Sequence, residues 1–453
     1  MKKFNIKSRY ITSLLLVLTL ASCSDFLEIE SQNAVSDKIT ITDKASAETA
    51  VRGAYNALSS SSYYGLAYQS LGYLSGDNLT FTGTQIILNE FVLHNVRSDN
   101  SYVSETWKAI YTTINRANHV IAKVPAVTDL KLTAALKDQL VGEAYFLRAL
   151  SYFDLVRFWG GVQITLTPTE SVDSKEGLVR SSAEETYAQV LKDLEAAEPL
   201  LPATTNRFRA TRKTVWALRA RYHLYRGEWA KAEEYATKVI SDVANYSLKS
   251  PYNSFFAGNV TGTAESVFEI SYNSTNLNTH RTSWQPTANG GNKNWIPSTG
   301  FLALLFDANI GGNRKAMVAQ TTTAPLFWYG NMYYRNPATD PAYVIRIAEL
   351  YLIRAEALAK QNKLTESAAD LNAVRARAAL TATTAATQSD LLLAIENERK
   401  LEFAFEPHRW FDLIRTGRAA AVLGLTDVNR YLLPIPLPEL QVDKALVQNP
   451  GYL

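Results

Sequence analysis

The 453-residue chain is poor in the features that usually announce chemistry. It has one cysteine, Cys23, which excludes an intramolecular disulfide framework and a cysteine-built zinc centre. Its five histidines (His94, His119, His223, His280 and His408) are scattered, with no H-x-H or H-E-x-x-H spacing. Neither a histidine metal site nor a proton relay is legible, and no cofactor is implied. The chain contains no G-x-x-x-x-G-K-[ST], G-x-G-x-x-G or G-x-S-x-G stretch, which removes the P-loop, dinucleotide-binding and nucleophile-elbow readings. An excess of one charge is also lacking. The formal net charge is +3, and four bases (Lys2, Lys3, Lys7, Arg9) fall in the first nine residues. Without residues 1–22 the chain carries 42 bases and 43 acids, so charge gives no reason to invoke nucleic acid.

What is present begins with a sorting signal. The four early bases form a positive n-region, and Ile11 to Ala21 follow as eleven mostly apolar residues. That run is short of the roughly 20 residues a membrane-spanning helix needs, and fits a secretory h-region. Leu20-Ala21-Ser22-Cys23 then resembles a bacterial lipobox, in which the thiol receives diacylglycerol and small neighbours admit the peptidase. The expected layout is a lipoprotein signal peptide over 1–22, a lipidated Cys23, and a polar tether over 23–44. A lipid chain would attach the protein to the membrane without spanning it. Ser24, Asp25 and Glu28 give the tether an acidic start that resembles a surface-export signal of Bacteroidetes-type lipoproteins. It favours an outer-membrane protein facing the cell exterior.

From Ala45 onward, apolar side chains recur at helical spacing. Helices are expected over Ala47–Leu58, Tyr102–Lys123, Thr133–Phe158, Ala183–Ala197, Arg212–Arg226, Trp229–Ser241, Tyr343–Lys360, Thr365–Ala379 and Ser389–Phe405. Three segments align without gaps: Tyr145-Phe-Leu-Arg-Ala149, Trp216-Ala-Leu-Arg-Ala220 and Tyr351-Leu-Ile-Arg-Ala355. Trp216, Ala220, Gly227, Trp229 and Ala232 fall at the spacing of the tetratricopeptide signature, where small alanines let paired helices approach and aromatics fill the gaps. Between residues 246 and 341 helical periodicity weakens. Glu265–Tyr272 alternates like a strand, and residues 246–334 hold 15 aromatics. The expected fold is therefore mainly α: one domain over 45–453, with a tetratricopeptide-like helical-pair scaffold (45–245 and 342–453) and a loop-rich insertion (246–341) carrying a few short strands.

Glu398, Glu402 and Glu406 repeat every four residues. A glycosidase would use two such carboxylates as acid and base across a cleft. The neighbouring Arg399, Lys400, Arg409 and Arg415 favour an ion-paired structural face instead, with Arg346/Glu349 and Arg354/Glu356 supplying similar partners.

A string of motifs in the last third carries a family resemblance. Arg346-x-x-Glu349-x-Tyr351-x-x-x-Ala355-Glu356 is followed by Asn372-x-x-Arg375-x-Arg377. Then come Ile395-x-x-Glu398-Arg399-x-x-Glu402-Phe403-x-x-Glu406-x-x-Arg409-Trp410-x-Asp412-Leu413-x-Arg415, Leu433-Pro-Ile-Pro436 and Gln448-Asn-Pro-Gly-Tyr452. Together with Gly142-Glu-Ala-Tyr-Phe-Leu-Arg-Ala149, Phe158-Trp-Gly-Gly-Val162, Trp107-x-x-x-Tyr111-x-x-Ile114-Asn115 and Cys23-Ser-Asp-Phe-Leu27, they resemble the SusD/RagB family of outer-membrane nutrient-binding lipoproteins. The resemblance implies a SusD-like fold without catalysis. It further implies capture of oligosaccharides, or in some members peptides, and delivery to a SusC-like TonB-dependent β-barrel transporter. Glycan capture needs rings that stack on sugar C–H faces and amides that bond hydroxyls. The candidates are Trp284, Trp295, Trp328, Tyr329 and Asn294 in the insertion, with Asn289, Asn292 and Arg314 nearby. A second patch is Tyr63-Tyr64, Tyr73, Asp77 and Asn78 after the first helix. Trp107, Trp159, Trp216, Trp229 and Trp410 fall in helical motifs and are expected to be structural.

Overall fold

The computed structural model describes residues 41–169 and 177–452. The signal peptide, Cys23 and nearly all of the tether lie outside the described residues. Nine long helices form the scaffold: α1 (Lys44–Leu58), α2 (Ser101–Lys123), α3 (Ala134–Trp159), α4 (Ala183–Leu200), α5 (Arg212–Tyr225), α6 (Trp229–Ile240), α7 (Ile347–Lys360), α8 (Leu364–Arg377) and α9 (Gln388–Glu402). Their starts are written in the sequence. Asp43 caps α1 and exchanges hydrogen bonds with Ser46, Ser182 does the same for α4 with Glu185, and Thr211 for α5 with Thr214. Each arrangement satisfies donors that a helix start leaves free.

The helices stack in chain order, each against the next, from α1 to α8. The turn between α5 and α6 uses Gly227 at φ +68°, a left-handed conformation that glycine adopts without penalty. Asn362 (φ +60°) stands at the matching turn between α7 and α8. The arginine of the threefold repeat braces neighbouring helices. Arg148 on α3 binds Asp193 on α4 at 2.7 and 2.8 Å, and Arg354 on α7 binds Asp370 on α8 at 2.7 Å through both Nε and Nη2. Arg219 on α5 instead turns back to Glu198 on α4 at 2.6 Å. This is the helical-pair architecture that the spacing of Trp216, Ala220 and Gly227 predicts.

Although α6 and α7 are separated by about a hundred residues, they pack directly together. The intervening segment therefore leaves the stack and returns to the same place. It takes part in three two-stranded antiparallel ribbons: β3 (Trp295–Pro297) with β1 (Leu79–Phe81) of the early loop, β2 (Ser266–Ile270) with β6 (Ala342–Arg346), and β4 (Val318–Gln320) with β5 (Trp328–Gly330). The expected helix from Tyr343 begins only at Ile347, because Ala342–Arg346 pairs with β2 and is buried along its whole length. Periodicity alone does not separate a short fully buried strand from the first turn of a buried helix. The expected α9 likewise stops at Glu402, so Glu406 lies beyond it.

Glu398, Glu402 and Glu406 form no cleft. Arg346, at the junction of β6 and α7, binds Glu406 at 2.6 Å, Glu402 at 2.8 Å and Glu265, just before β2, at 3.0 Å. Arg314 of the insertion binds Glu398 at 2.5 Å and Glu402 at 2.8 Å, and Arg377 at the end of α8 joins Glu265 and Glu402. All these side chains are sealed from solvent. Burial raises the cost of a charge on Glu402, but Arg377, Arg314 and Arg346 outweigh it and hold the carboxyl at about 2. The ion-paired reading holds in kind, with other partners than expected. Arg399 serves Asp412, Lys400 serves Asp77, and Arg415 serves Glu356.

Replacing Arg346 with methionine would strand the buried carboxylate of Glu406 and take one of their arginines from Glu265 and Glu402. The expected loss, measured by urea unfolding, is about 3–5 kcal/mol, the usual penalty for removing one partner of a buried ion pair.

Candidate functional site

The insertion carries its own aromatic core. Trp284 and Trp295 are both fully buried and meet edge to face at 5.8 Å. Tyr73, from the short helix Ala67–Leu74, lies 5.5 Å from Trp284 and 5.4 Å from Trp295, and Phe405 packs on Trp284 at 4.4 Å. Gly330 of β5 is pressed against Trp284: a Cβ there would sit 2.4 Å from the indole. Trp284, Trp295 and Tyr73 are therefore corrected from ligand platforms to core. An irregular segment has few backbone ladders to hold it, so its largest rings are spent on burial.

The second expected patch is corrected for the same reason. Tyr63 and Tyr64 turn inward with Tyr68, and all three hydroxyls donate to the buried carboxylate of Asp154 at 2.7, 2.9 and 2.6 Å. Asn78 is buried and donates to the Lys400 carbonyl. Asp77 accepts from Lys400 Nζ at 2.6 Å and Arg409 Nε at 2.7 Å. Partial burial works against its charge, yet these two cations keep its carboxyl below the usual range. Ser298 bonds the backbone carbonyls of both Asp77 and Asn78, so the pair rivets the early loop, the insertion and the C-terminal helices together. Arg314 belongs to the buried ion network. Asn294 is half-buried; its carbonyl accepts from Thr82 and Gly83, and its amide donates to Ser283 at 3.2 Å. That makes it a clamp between β1 and β3.

Trp328 remains at the surface of the insertion while Tyr329 is corrected to a buried ring, and strand geometry separates them. Successive side chains of a strand point to opposite faces. Trp328, half-buried, meets the exposed ring of Phe306 at 4.6 Å. Tyr329, which is 8% exposed, turns its hydroxyl to the Asn289 amide at 3.4 Å. Asn289 stands at the edge of an open groove of about 550 Å³ whose lining includes Arg281, Gln285, Asn331, Tyr334 and Asn336. Gln285 anchors the groove from below, donating to the Tyr333 carbonyl at 3.0 Å while its own carbonyl accepts from Asn289 at 2.9 Å. The turn that forms one edge needs both its glycines. Gly290 sits at φ +77°, and a Cβ on Gly291 would fall 2.1 Å from the Gln285 carbonyl oxygen. The Gly-Gly pair thus brings the amide-bearing loop against its support.

The sequence pointed to Asn289 but missed Arg281, Asn331, Tyr334 and Asn336. The one available signal was the run Asn331-Met-Tyr-Tyr-Arg-Asn336, which brackets two adjacent rings with amides between glycine and proline. The histidines outside the insertion support structure: His94 stacks on Trp410 at 5.3 Å, and His408 packs on Phe403 at 4.6 Å. Among the described residues no three His, Cys, Asp or Glu side chains are grouped to hold a metal, and no helix is long and apolar enough to cross a membrane.

Comparison with known proteins gives the fold its relatives. Residues 25–224 match a SusD-like family model described as starch-binding and associating with the outer membrane, and residues 310–427 match the SusD family model. The chain belongs to the SusD/RagB family. SusD-like protein P2 of Formosa agariphila is 27% identical, with both chains covered in full. A SusD homolog from Bacteroides thetaiotaomicron superposes with a TM-score of 0.81 at 20% identity, covering 93% of this chain and all of that one. A laminarin-binding SusD-like protein gives 0.78 at 23% identity, covering 91% of this chain and all of that one. SusD family proteins are non-catalytic binding proteins and outer-membrane lipoproteins that typically pair with SusC-like TonB-dependent transporters.

The two classes of tryptophan should separate in mutagenesis. Trp295→Ala is expected to cost about 3–5 kcal/mol of stability, read as a large fall in Tm. Trp328→Ala should cost about 1 kcal/mol or less and leave the circular dichroism unchanged.

Proposed function

We propose that this SusD/RagB protein is anchored by lipid at Cys23 to the outer membrane, faces the exterior, captures oligosaccharides in the insertion, and passes them to a SusC-like barrel. The observation that carries the reading is the open groove between Asn289 and Tyr334. Its lining alternates amides with a half-exposed tyrosine ring, and it stands on a rigid aromatic floor. Sugar hydroxyls present donors and acceptors in pairs, and primary amides match both roles with one side chain. The Tyr334 ring offers an apolar face for sugar C–H groups. A shallow open groove suits internal units of a chain, which must enter and leave sideways. The exposed Phe306–Trp328 pair, on the other side of the β4–β5 ribbon, gives a second surface where a longer glycan would rest. The kinship with laminarin-binding and starch-binding relatives supports the same ligand class.

Two measurements test this reading. Isothermal titration against a panel of neutral and acidic oligosaccharides should detect binding, and Asn289→Ala with Tyr334→Ala should reduce it about tenfold or more while Tm stays within a few degrees. Binding of peptides alone would refute it. In a lipoprotein-producing host, metabolic labelling with a fatty acid should mark the full-length chain, and Cys23→Ser should abolish the label and release the protein from membranes.

A further inference from the structure

The insertion as a whole (246–341) carries six bases and four carboxylates, but three of those acids, Glu265, Glu269 and Asp340, lie outside its middle stretch. Between residues 271 and 339 there is one carboxylate, Asp307, against five bases: Arg281, Lys293, Arg314, Lys315 and Arg335. Two of these bases are neutralised inside the protein, Arg314 by Glu398 and Glu402 and Arg335 by Asp340. The other three are not. Among the described residues, no carboxylate lies within ion-pair distance of Arg281, Lys293 or Lys315, whereas ion pairs are numerous throughout the scaffold. The loop-rich segment therefore carries three bases, Arg281, Lys293 and Lys315, that its own carboxylates do not neutralise.

Arg281 stands inside the groove. Its guanidinium is half-buried and steered by two backbone carbonyls: Nη2 donates to Asn289 at 2.5 Å, and Nε reaches Tyr334 at 3.4 Å. Nη1 has no protein acceptor among the described residues, and a Cβ on Gly290 would come only to 3.8 Å from it. No acid lines the groove. Lys293 is on the same loop, its ammonium lying 4.3 Å over the Phe327 ring. A guanidinium oriented by neutral carbonyls keeps its full charge for a ligand, and it binds planar or tetrahedral oxyanions through paired donors.

We infer that the groove is selective for acidic oligosaccharides, whose sugars carry carboxylates or sulfate esters, and that Arg281 is the residue that reads the anionic group. The inference rests on the capture reading above and narrows its ligand class. The amides and Tyr334 hold the sugar ring, and the oriented guanidinium meets the acid. Lys293 adds longer-range attraction that salt screens.

The test is titration calorimetry of the full mature chain with oligogalacturonate, its carboxyl-reduced neutral counterpart, a sulfated galactan oligosaccharide, a laminari-oligosaccharide and tetraglutamate. At about 50 mM salt, at least one acidic sugar should bind about tenfold or more tightly than the neutral ones, and the advantage should shrink at about 500 mM. The galacturonate and galactan arms distinguish carboxylate from sulfate. Arg281→Gln should remove most of the advantage, Arg281→Lys should retain part of it, and Lys293→Gln should weaken chiefly the low-salt affinity. If Arg281→Gln fails to fold, the salt dependence and the lysine variants carry the decision. Equal or tighter binding of the neutral sugars, failure of every acidic sugar to bind, or an acidic preference unchanged in Arg281→Gln overturns the inference. Neutral binding would leave the capture reading standing, whereas binding of tetraglutamate alone would remove both.

Discussion

Arg346 sits where the last strand of the insertion becomes the helix that resumes the stack, and it is surrounded by three carboxylates from two distant parts of the chain. Glu265 stands just before β2 and Glu402 at the end of α9, and Glu406 follows shortly after it. Such a cluster is costly to bury. It is tolerated because Arg314 and Arg377 complete the neutralisation and because the Arg346 guanidinium also lies over the Phe255 and Phe403 rings. Its effect is geometric. Hydrophobic contact alone would let the insertion slide over the scaffold, whereas the fixed fork of each guanidinium admits one alignment. The groove between Asn289 and Tyr334 inherits its position from that alignment.

The aromatic floor translates this anchoring into a surface. Trp284, Trp295, Tyr73 and Phe405 come from three distant segments, and β5 lies directly over them because Gly330 has no side chain to hold it away. The polar side chains of the groove are then supported from beneath by Gln285, which bonds the backbone at Tyr333 and the amide of Asn289 at once. A flexible loop bearing the same amides would lose ordering entropy on each encounter; this one is largely ordered before the ligand arrives.

The scaffold was legible because helical periodicity and the Trp216–Ala220–Gly227 spacing are local signals. Helix positions followed within a few residues, except where a buried strand resembled a helix start at Tyr343. Family membership was also legible, since its motifs are dense in residues 346–415. The site was much less so. Ring type does not say whether a tryptophan faces inward, and Trp284 and Trp295 turned out to be supports. The Asp77–Asn78 pair likewise read as a ligand contact, yet its partners Lys400 and Arg409 are more than three hundred residues away. Contacts of that separation have no signature in a single sequence. The groove residues themselves, Arg281, Asn331, Tyr334 and Asn336, converge only through the fold.

The direct packing of α6 on α7 has a consequence for how this part of the chain tolerates change. Because both ends of the excursion are clamped at neighbouring helices, the distance it must close is fixed by the rods beneath and is independent of its own length. Closure entropy rises only logarithmically, by about 0.6 kcal/mol for each doubling of a flexible loop. Exposed turns of the excursion can thus be lengthened or shortened at small thermodynamic cost while Trp284, Trp295, Gly330 and Arg314 keep their buried places, so the frame and its inner rings can stay fixed as the outer turns differ.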